Sequence, residues 1–530
     1  MKPNEYVIPS EKFVLANKDD RMHDKELETK PIGYFKDAFN RFKKNKASIV
    51  ASIIIGILVF FAIIGPIASP YQVSDKDAYF GYCLPKSHLS TALRWDFWDG
   101  CENVAVNEQE FLKYKAMGIE TGRSPIKNDT YTISTITDSN GKKTTKYNIR
   151  RDTYYKTGVI YKDLTQSEYD ALMAYQDEKL VQIIYPTLTR SNNDTTLGQT
   201  DKADANFWYE TKVSAGQTTA VLDENGDFKN LYKAVKYDDD GNRTDFYTSK
   251  MKIAGDGDKY AYSKVTYSSD GSKSYRVRIS YYDYYIYYHT TVKQDRITEP
   301  VFIFGANNAG QDIFTALSSG ARFSFILAVI VSTVNLIVGA IYGAIEGYYG
   351  GKTDLIMERI SDILSAVPFM IVITLLKYHM GSTSQVVILF ISFFLTGWIS
   401  MAGSTRMQFY RFKNQEYVLA ARTLGASDRR IMFKHIFPNA LGTLVTSFVL
   451  VIPGTIFSET SLSYLGIINL DDGNITSVGT LLANGQNYLV TYPHMIVFPA
   501  LFISLLMLSF NLFGNGLRDA FNPSLRGSED

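Results

Sequence analysis

The sequence predicts an α-helical polytopic membrane protein with six transmembrane helices and a large extracytoplasmic insertion, α+β and β-rich, between the first and second. Three observations carry that prediction. Uncharged apolar runs occupy residues 47–69, 323–345, 386–405, 439–458 and 495–517, and about 20 helical residues cross a hydrocarbon core. Lys and Arg crowd some of the loops between these runs and are missing from others. The stretch 70–300, between the first run and the second, is punctuated by turn signals rather than by apolar runs. A formal charge of +1 and a mean hydropathy near zero average these parts and describe neither.

Residues 1–46 are expected to form a cytoplasmic tail, because Arg41, Lys43, Lys44 and Lys46 adjoin the first run and basic residues near span ends stay inside. Residues 47–69 follow as transmembrane helix 1. With 46 residues ahead of it, a length beyond a typical signal h-region and GPIASPY at its end, the run reads as an anchor rather than a cleaved signal peptide.

Residues 70–300 read as an extracytoplasmic inserted domain. Asn-Gly or Asp-Gly pairs start at 140, 225, 240, 256 and 270 and predict hairpins between short alternating runs. In SYRVRISY, Tyr275, Val277, Ile279 and Tyr281 should face one way and Arg276, Arg278 and Ser280 the other, as in a half-buried strand. TQSEYDALMAYQDEKL predicts a helix, since Thr165 precedes Glu168 at the capping-box spacing. The tract YYDYYIYYHTT at 281–291 is read as strand, with cross-strand aromatic pairing the commoner use of such tyrosines and binding of peptides or sugars the alternative. YDDDGNR at 237–243 lacks EF-hand ligand spacing and reads as a hairpin turn. The two cysteines, Cys83 and Cys101, fall in this outer domain, where oxidising conditions favour a disulfide; two buried free thiols are the alternative.

Residues 301–322 connect to a transmembrane core at 323–517 holding helices 2–6. ILSAVPFMIVITLL at 363–376 supplies the extra span, with Lys377 able to snorkel and Ser361 able to extend it; a re-entrant segment is the alternative. The loop 405–438 carries seven basic residues (Arg406, Arg411, Lys413, Arg422, Arg429, Arg430, Lys434) against two acids, whereas 380–385 and 461–493 carry none. The first is therefore expected inside and the other two outside, with the 518–530 tail cytoplasmic like the N-terminus.

No catalytic or metal site stands out. GYYGGKT at 347–353 has three residues, not four, between Gly347 and Gly-Lys-Thr, so it fails as a phosphate loop, and the six histidines are scattered. EYVLAARTLGASDRRIMFKHIFPNA, at 416–440, is more informative. Tyr417, Ala420, Ala421 and Leu424 fall at i, i+3, i+4 and i+7 and share a helical face on which alanines allow close approach. Gly425 can end that helix in the left-handed conformation, Ser427 or Asp428 can cap a second through Arg429 to Ile436, and Pro438 leads into span five. The result is a helix-turn-helix knob, or else an ordinary amphipathic loop. Glu459, near the outer end of span five, is either a gate or docking residue or a headgroup-level solvated carboxylate. Pro453 and Gly454 can kink the same span and line a pathway, although helix packing accounts for them equally.

The 416–440 stretch resembles the EAA motif of binding-protein-dependent ABC importer permeases, with Ala420, Ala421, Gly425 and Pro438 on matching positions. Leu419 replaces the motif glutamate, and Glu416 lies nearby. RFKKNKASIVASIIIGILVFFAIIGPIASPY, GYYGGKTDLIMERISDILSAVP, ETSLSYLG and FNLFGNGLRDAFNP extend the likeness, in order, to the C-type permeases of oligopeptide and dipeptide importers, over 31–71 and about 300–523. GANNAGQD at 305–312 is also similar, with Ala306, Asn308 and Gln311 where Thr, Asp and Arg are usual.

The resemblance implies a type I ABC importer fold in a bacterial plasma membrane. It implies a chain that lines half of a pathway for oligopeptides or dipeptides, with nickel or another small solute as the alternative. It also implies that the chain is no enzyme and binds no cofactor or nucleic acid. ATP and Mg are used by two cytoplasmic ATPases docked on coupling helices, here Glu416 to Gly425 with Pro438. A second homologous permease completes the pathway and a solute-binding protein delivers peptide. A membrane-anchored receptor is the rival reading, and a receptor needs a sizeable cytoplasmic output domain, whereas the largest pieces expected inside are the 46-residue tail and the loop at 405–438. The insertion is open to three uses: a docking platform, a lid or a surface adaptation.

Overall fold

The structure is a computed structural model that describes residues 34–521 except 94, 138–142, 186–204, 215–216, 230–263, 268–270, 472 and 474. Most of the N-terminal tail, the C-terminal tail, the turn signals at 140, 240, 256 and Asp270, and YDDDGNR lie outside the described residues.

Helix α1 (Tyr34–Lys44) is amphipathic and short of apolar length; it turns at Asn45 into α2 (Lys46–Ala68), the first apolar run. Asn45 caps α2 by accepting the amides of Ala47 and Ser48 at 3.0 and 3.3 Å. The inserted domain starts with α3 (His88–Ala92), β1 (Cys101–Val106), α4 (Glu108–Thr121), β2 (Ile126–Thr137) and β3 (Lys143–Asp152). β1, β3 and β2 form an antiparallel sheet in that order, against which α4 buries Phe111, Tyr114 and Met117. Next come β4 (Val159–Thr165), α5 (Gln166–Lys179), β5 (Ile184–Tyr185), the β6 (Thr211–Ser214) and β7 (Gln217–Ala220) hairpin, β8 (Lys264–Tyr267) and β9 (Lys273–Ser280). β9 is central to the second sheet, paired with β4, β5 and β8. Both halves of the expected capping box are present on α5: Thr165 accepts the Glu168 amide, and the Glu168 carboxylate accepts the Thr165 amide at 2.8 Å. Asn225-Gly226 turns the chain between Leu222 and Phe228, which bridge antiparallel.

Three expectations for this domain are corrected. The tyrosine tract is helical: α6 (Tyr281–Tyr287) runs into a π-helical turn at Tyr288–Lys293. The β4–β9 ladder ends at the Val159–Ser280 pair; the Tyr281 amide still reaches across to the Gly158 carbonyl at 2.9 Å, and the backbone after it closes its own helical hydrogen bonds. Tyr281 accordingly opens a helix rather than ending the strand. Arg278, expected on a solvated face, is wholly buried, because the central strand is covered on both sides. Its guanidinium donates to both Glu120 carboxylate oxygens at 2.9 and 2.8 Å and to the Ala205 carbonyl at 2.9 and 2.7 Å.

The cysteines are free, not bonded. Cys83 Sγ donates to the Thr153 carbonyl at 3.3 Å and Cys101 Sγ to that of Asp99 at 3.7 Å. Backbone pairing already closes the loop between them: Lys86 bridges Asp99, and the Gly100 amide reaches the Pro85 carbonyl at 3.0 Å. Burial pushes both thiols up to about 12.

The chain leaves the domain through Gly305–Asp312, a turn bridged Ala306 to Asp312. Gly310 is required there: its φ is +74°, and a Cβ would stand 1.7 Å from the Asp77 carbonyl oxygen. Asp312 caps α7 (Ile313–Tyr349), which starts at 313 rather than 323, so half of the expected 301–322 connection is helix. After it come α8 (Gly351–Ser365) and α9 (Phe369–His379), bent by 71° across Ala366–Pro368. Pro368 disfavours helix at the residue before it, so the 363–376 run is broken rather than straight. α10 (Gln385–Phe412) precedes α11 (Glu416–Thr423) and α12 (Asp428–Arg430). A π-helical turn (Ile431–Ile436) joins α12 to α13 (Phe437–Tyr464), and α14 (Val478–Gly485) and α15 (His494–Phe521) complete the chain. Among the described residues, five helices are long and apolar enough to cross a membrane, six if the bent pair counts as one span. α2, α7, α13 and α15 bury the main apolar cluster, with α14 tucked between α7 and α13 at the end that bears the inserted domain.

Candidate functional site

At the other end of the bundle, α11 stands out from the spans. Val418 is its one buried side chain, packed with Phe409 of α10, Tyr348 of α7 and Ile431 and Ile436 of the π turn. The other side is bare: Tyr417 is 41% exposed, Leu419 44% and Leu424 88%, with Glu416 and Ala420 also exposed and Ala421 half-buried. Tyr417, Ala420, Ala421 and Leu424 therefore share a face, as their spacing requires. Gly425 ends the helix at φ +82°, the left-handed value anticipated for it.

The second half of the knob differs from expectation. Ser427 holds the cap position without a side-chain hydrogen bond, and Asp428 instead accepts the Tyr348 hydroxyl at 2.6 Å. The helix then does not stop before the span; Asp428–Tyr464 is one helical rod. The π turn sits directly before Pro438, which has no N–H to give the preceding turn, and the wider turn absorbs that mismatch.

The seat beneath α11 is rigid. Arg406 of α10 forks onto Asp354 at 2.6 and 3.0 Å and onto Glu358 at 2.9 and 3.0 Å, fastening α8. Lys413 donates to the Gly347 carbonyl at 2.9 Å and lies 4.0 Å over the Tyr410 ring. Gly339, Gly343 and Gly347 put the backbones of α7 and α10 in contact: a Cβ on Gly343 would reach the Ala402 oxygen at 2.1 Å. Sequence reading missed these residues, although Gly-x3-Gly-x3-Gly at 339–347 is a legible small-residue stripe.

Glu459 lies at the opposite end and is fully buried, which rules out the solvated-carboxylate reading. It accepts the Ser324 hydroxyl at 2.9 Å and that of Ser463 at 3.0 Å, so α7 and α13 share one polar contact. Pro453 is buried inside α13, while Gly454 faces away from it with open space around its Cα. The structure does not gather these three residues into one site. Among the described residues no group of three His, Cys, Asp or Glu side chains is placed to hold a metal.

Comparison with known proteins follows the same division of the chain. A family described as the binding-protein-dependent transport system inner membrane component matches residues 336–527, and the N-terminal TM domain of oligopeptide transport permease C matches 33–82. The oligopeptide transport system permease protein OppC of Bacillus subtilis (strain 168) is 44% identical over 223 residues, covering 42% of this chain and 72% of that protein. The chain belongs to this permease family.

The dipeptide transport system permease protein DppC of the same organism is 38% identical over 224 residues, with 42% of this chain and 69% of that protein covered. OppC of Escherichia coli (strain K12) is 35% identical over 223 residues, with 42% and 72% covered. A solved structure titled "Inward facing conformations of the MetNI methionine ABC transporter" aligns at a TM-score of 0.32 and 15% identity, over 39% of this chain and 96% of that one, a likeness too small to argue from. The permease is thus an ABC importer subunit and an integral membrane protein. Its inserted domain falls between the two matched segments, and α11 inside the second.

Proposed function

We propose that this permease lines half of the translocation pathway of an ATP-driven importer of oligopeptides or dipeptides, and that a cytoplasmic ATPase pushes on α11. The observation that carries the reading is the bare, small-sided face of α11 on a seat fastened by Val418, Arg406 and the α7–α10 glycines. A helix held on one side and uncovered on the other transmits force to whatever is fastened beneath it. Leu419 makes the central contact apolar where relatives of this motif use a carboxylate, and Glu416, one turn earlier on the exposed side, supplies the charge. The basic residues around α11 support a cytoplasmic position for it, and with it an inserted domain that faces outward toward a solute-binding protein. A second homologous permease and two ATPases complete the assembly. The peptide cargo is carried over from the OppC and DppC relatives.

The test is reconstitution of the permease with the subunits that copurify with it, in proteoliposomes loaded with a solute-binding protein and labelled peptide. Ala421→Trp should leave insertion and thermal stability intact and abolish ATP-dependent uptake. Unchanged uptake would remove α11 from the coupling route; failure of every peptide, with nickel transported instead, would overturn the cargo alone.

A further inference from the structure

We propose that residues 88–98 anchor the inserted domain in the headgroup region of the bilayer. The loop is closed at its base by the Lys86–Asp99 bridge and by the Ser87 amide on the Trp98 carbonyl at 3.0 Å. Asp99, at the foot of the loop, folds inward, whereas the Asp96 side chain remains 76% exposed while pairing with the domain. Asp99 meets Lys127 of β2 at 2.5 Å and Arg150 of β3 at 2.8 Å, and Asp96 meets Arg150 at 2.8 Å. The outer side is left apolar: Leu89 is 63% exposed, Leu93 49%, Trp95 55% and Phe97 66%. Four large apolar side chains exposed in so short a loop, beside the exposed Asp96, form an apolar surface with a polar edge, the composition of a headgroup-level contact.

The position of the loop names the occupant. Trp98 lies 5.8 Å from the Phe498 ring, and its indole N–H donates to the Ile303 carbonyl. Phe498 is only about 6 Å along α15 from its start at His494. It stacks on Phe304 at 4.2 Å, which in turn meets Phe61 of α2 at 6.5 Å. The outward side chains of these two spans, Phe60, Ile64 and Ile67 on α2 and Val497 and Leu501 on α15, are exposed as lipid-facing residues are. The loop therefore continues the lipid belt at its rim, the level at which Trp and Tyr collect in membrane proteins. Tyr82 stacked on Tyr492 at 4.7 Å stands at the same α15 terminus. A crevice of about 230 Å³ between the loop and α15 is lined by Leu84, Pro85, Phe97, Trp98 and Phe498 on its apolar side and by Asp96 and Asp99 on its polar side.

The chain has four tryptophans, Trp95, Trp98, Trp208 and Trp398, which makes fluorescence the direct probe. The full chain carrying Trp98→Phe, Trp208→Phe and Trp398→Phe, in nanodiscs of phosphatidylcholine brominated near the glycerol or near the chain end, reports on Trp95 alone. Its emission should fall with shallow bromines, fall less with deep ones and resist acrylamide. A companion retaining only Trp208 should be quenched by neither lipid. Since Trp98→Phe gives up the bond to Ile303, the wild type minus Trp95→Phe reads the same quantity without that change. Quenching by acrylamide and not by brominated lipid would overturn the proposal by placing the loop in water. Protection from both would overturn it equally, by placing the loop under a second copy of the chain.

Discussion

Arg278→Met tests the architecture of the inserted domain most sharply. The substitution preserves length and apolar volume while removing the guanidinium paired with Glu120, whose side chain is 8% exposed. It also deprives the Ala205 carbonyl of two donors. Breaking a buried ion pair from one side costs about 3–5 kcal/mol. At about 2–4 °C per kcal/mol for a domain of 150–250 residues, the melting temperature should fall by about 6–20 °C. Trp208 reports the transition, because its indole donates to Ala116 on the helix that carries Glu120, at 3.4 Å. The double variant Arg278→Met with Glu120→Leu removes both members of the pair and should recover most of the loss. A single variant within about 1 kcal/mol of wild type, or a double variant no better than the single, would refute the buried-pair account.

Gly425→Ala forces a side chain to φ +82° but meets no neighbouring atom, so it should cost about 1–2 kcal/mol locally and leave partial uptake, whereas Gly425→Trp should insert and transport nothing in the proteoliposome assay. Glu459→Leu strands the hydroxyls of Ser324 and Ser463 and should lower stability by about 1–3 kcal/mol for each left unsatisfied, read by thermal unfolding in detergent, with Glu459→Gln milder. Because burial holds the Cys83 and Cys101 thiols protonated up to about 12, maleimide should label the folded protein slowly at pH 7 and faster as pH rises, with full labelling only after unfolding; stoichiometric labelling at pH 7 of the native protein would contradict the structure. Arg406→Met should free α8 from α10 and raise amide exchange across Gly351–Ser365 without changing exchange in the inserted domain.

The features legible in the sequence are those settled by a few neighbouring residues. The Thr165–Glu168 cap, the left-handed Gly425 and the shared face of Tyr417, Ala420, Ala421 and Leu424 all depend on spacings within about two helical turns. The apolar runs fixed the spans for the same reason. What escaped was decided by distant partners. The tyrosine tract became a helix because the strand opposite it ends at Val159, and Arg278 became buried because α4 brings Glu120 to it from 158 positions away. The two thiols stayed apart because Thr153 and Asp99 supply each its own carbonyl. At the candidate site, the exposed helix was readable, whereas the fork of Arg406 between Asp354 and Glu358 required knowing that α8 folds back beside α10.

The unbroken run from Asp428 to Tyr464 has a mechanical meaning. At 1.5 Å per residue, Glu459 stands about 46 Å from Asp428 along a single stiff axis. A tilt of about 10° imposed at the foot of such a lever displaces its tip by about 8 Å, more than the pitch of about 5.4 Å of one helical turn. The contact between Glu459 and Ser324 at 2.9 Å cannot survive a displacement of that size unless α7 swings with it. The carboxylate would then act as a latch between two levers.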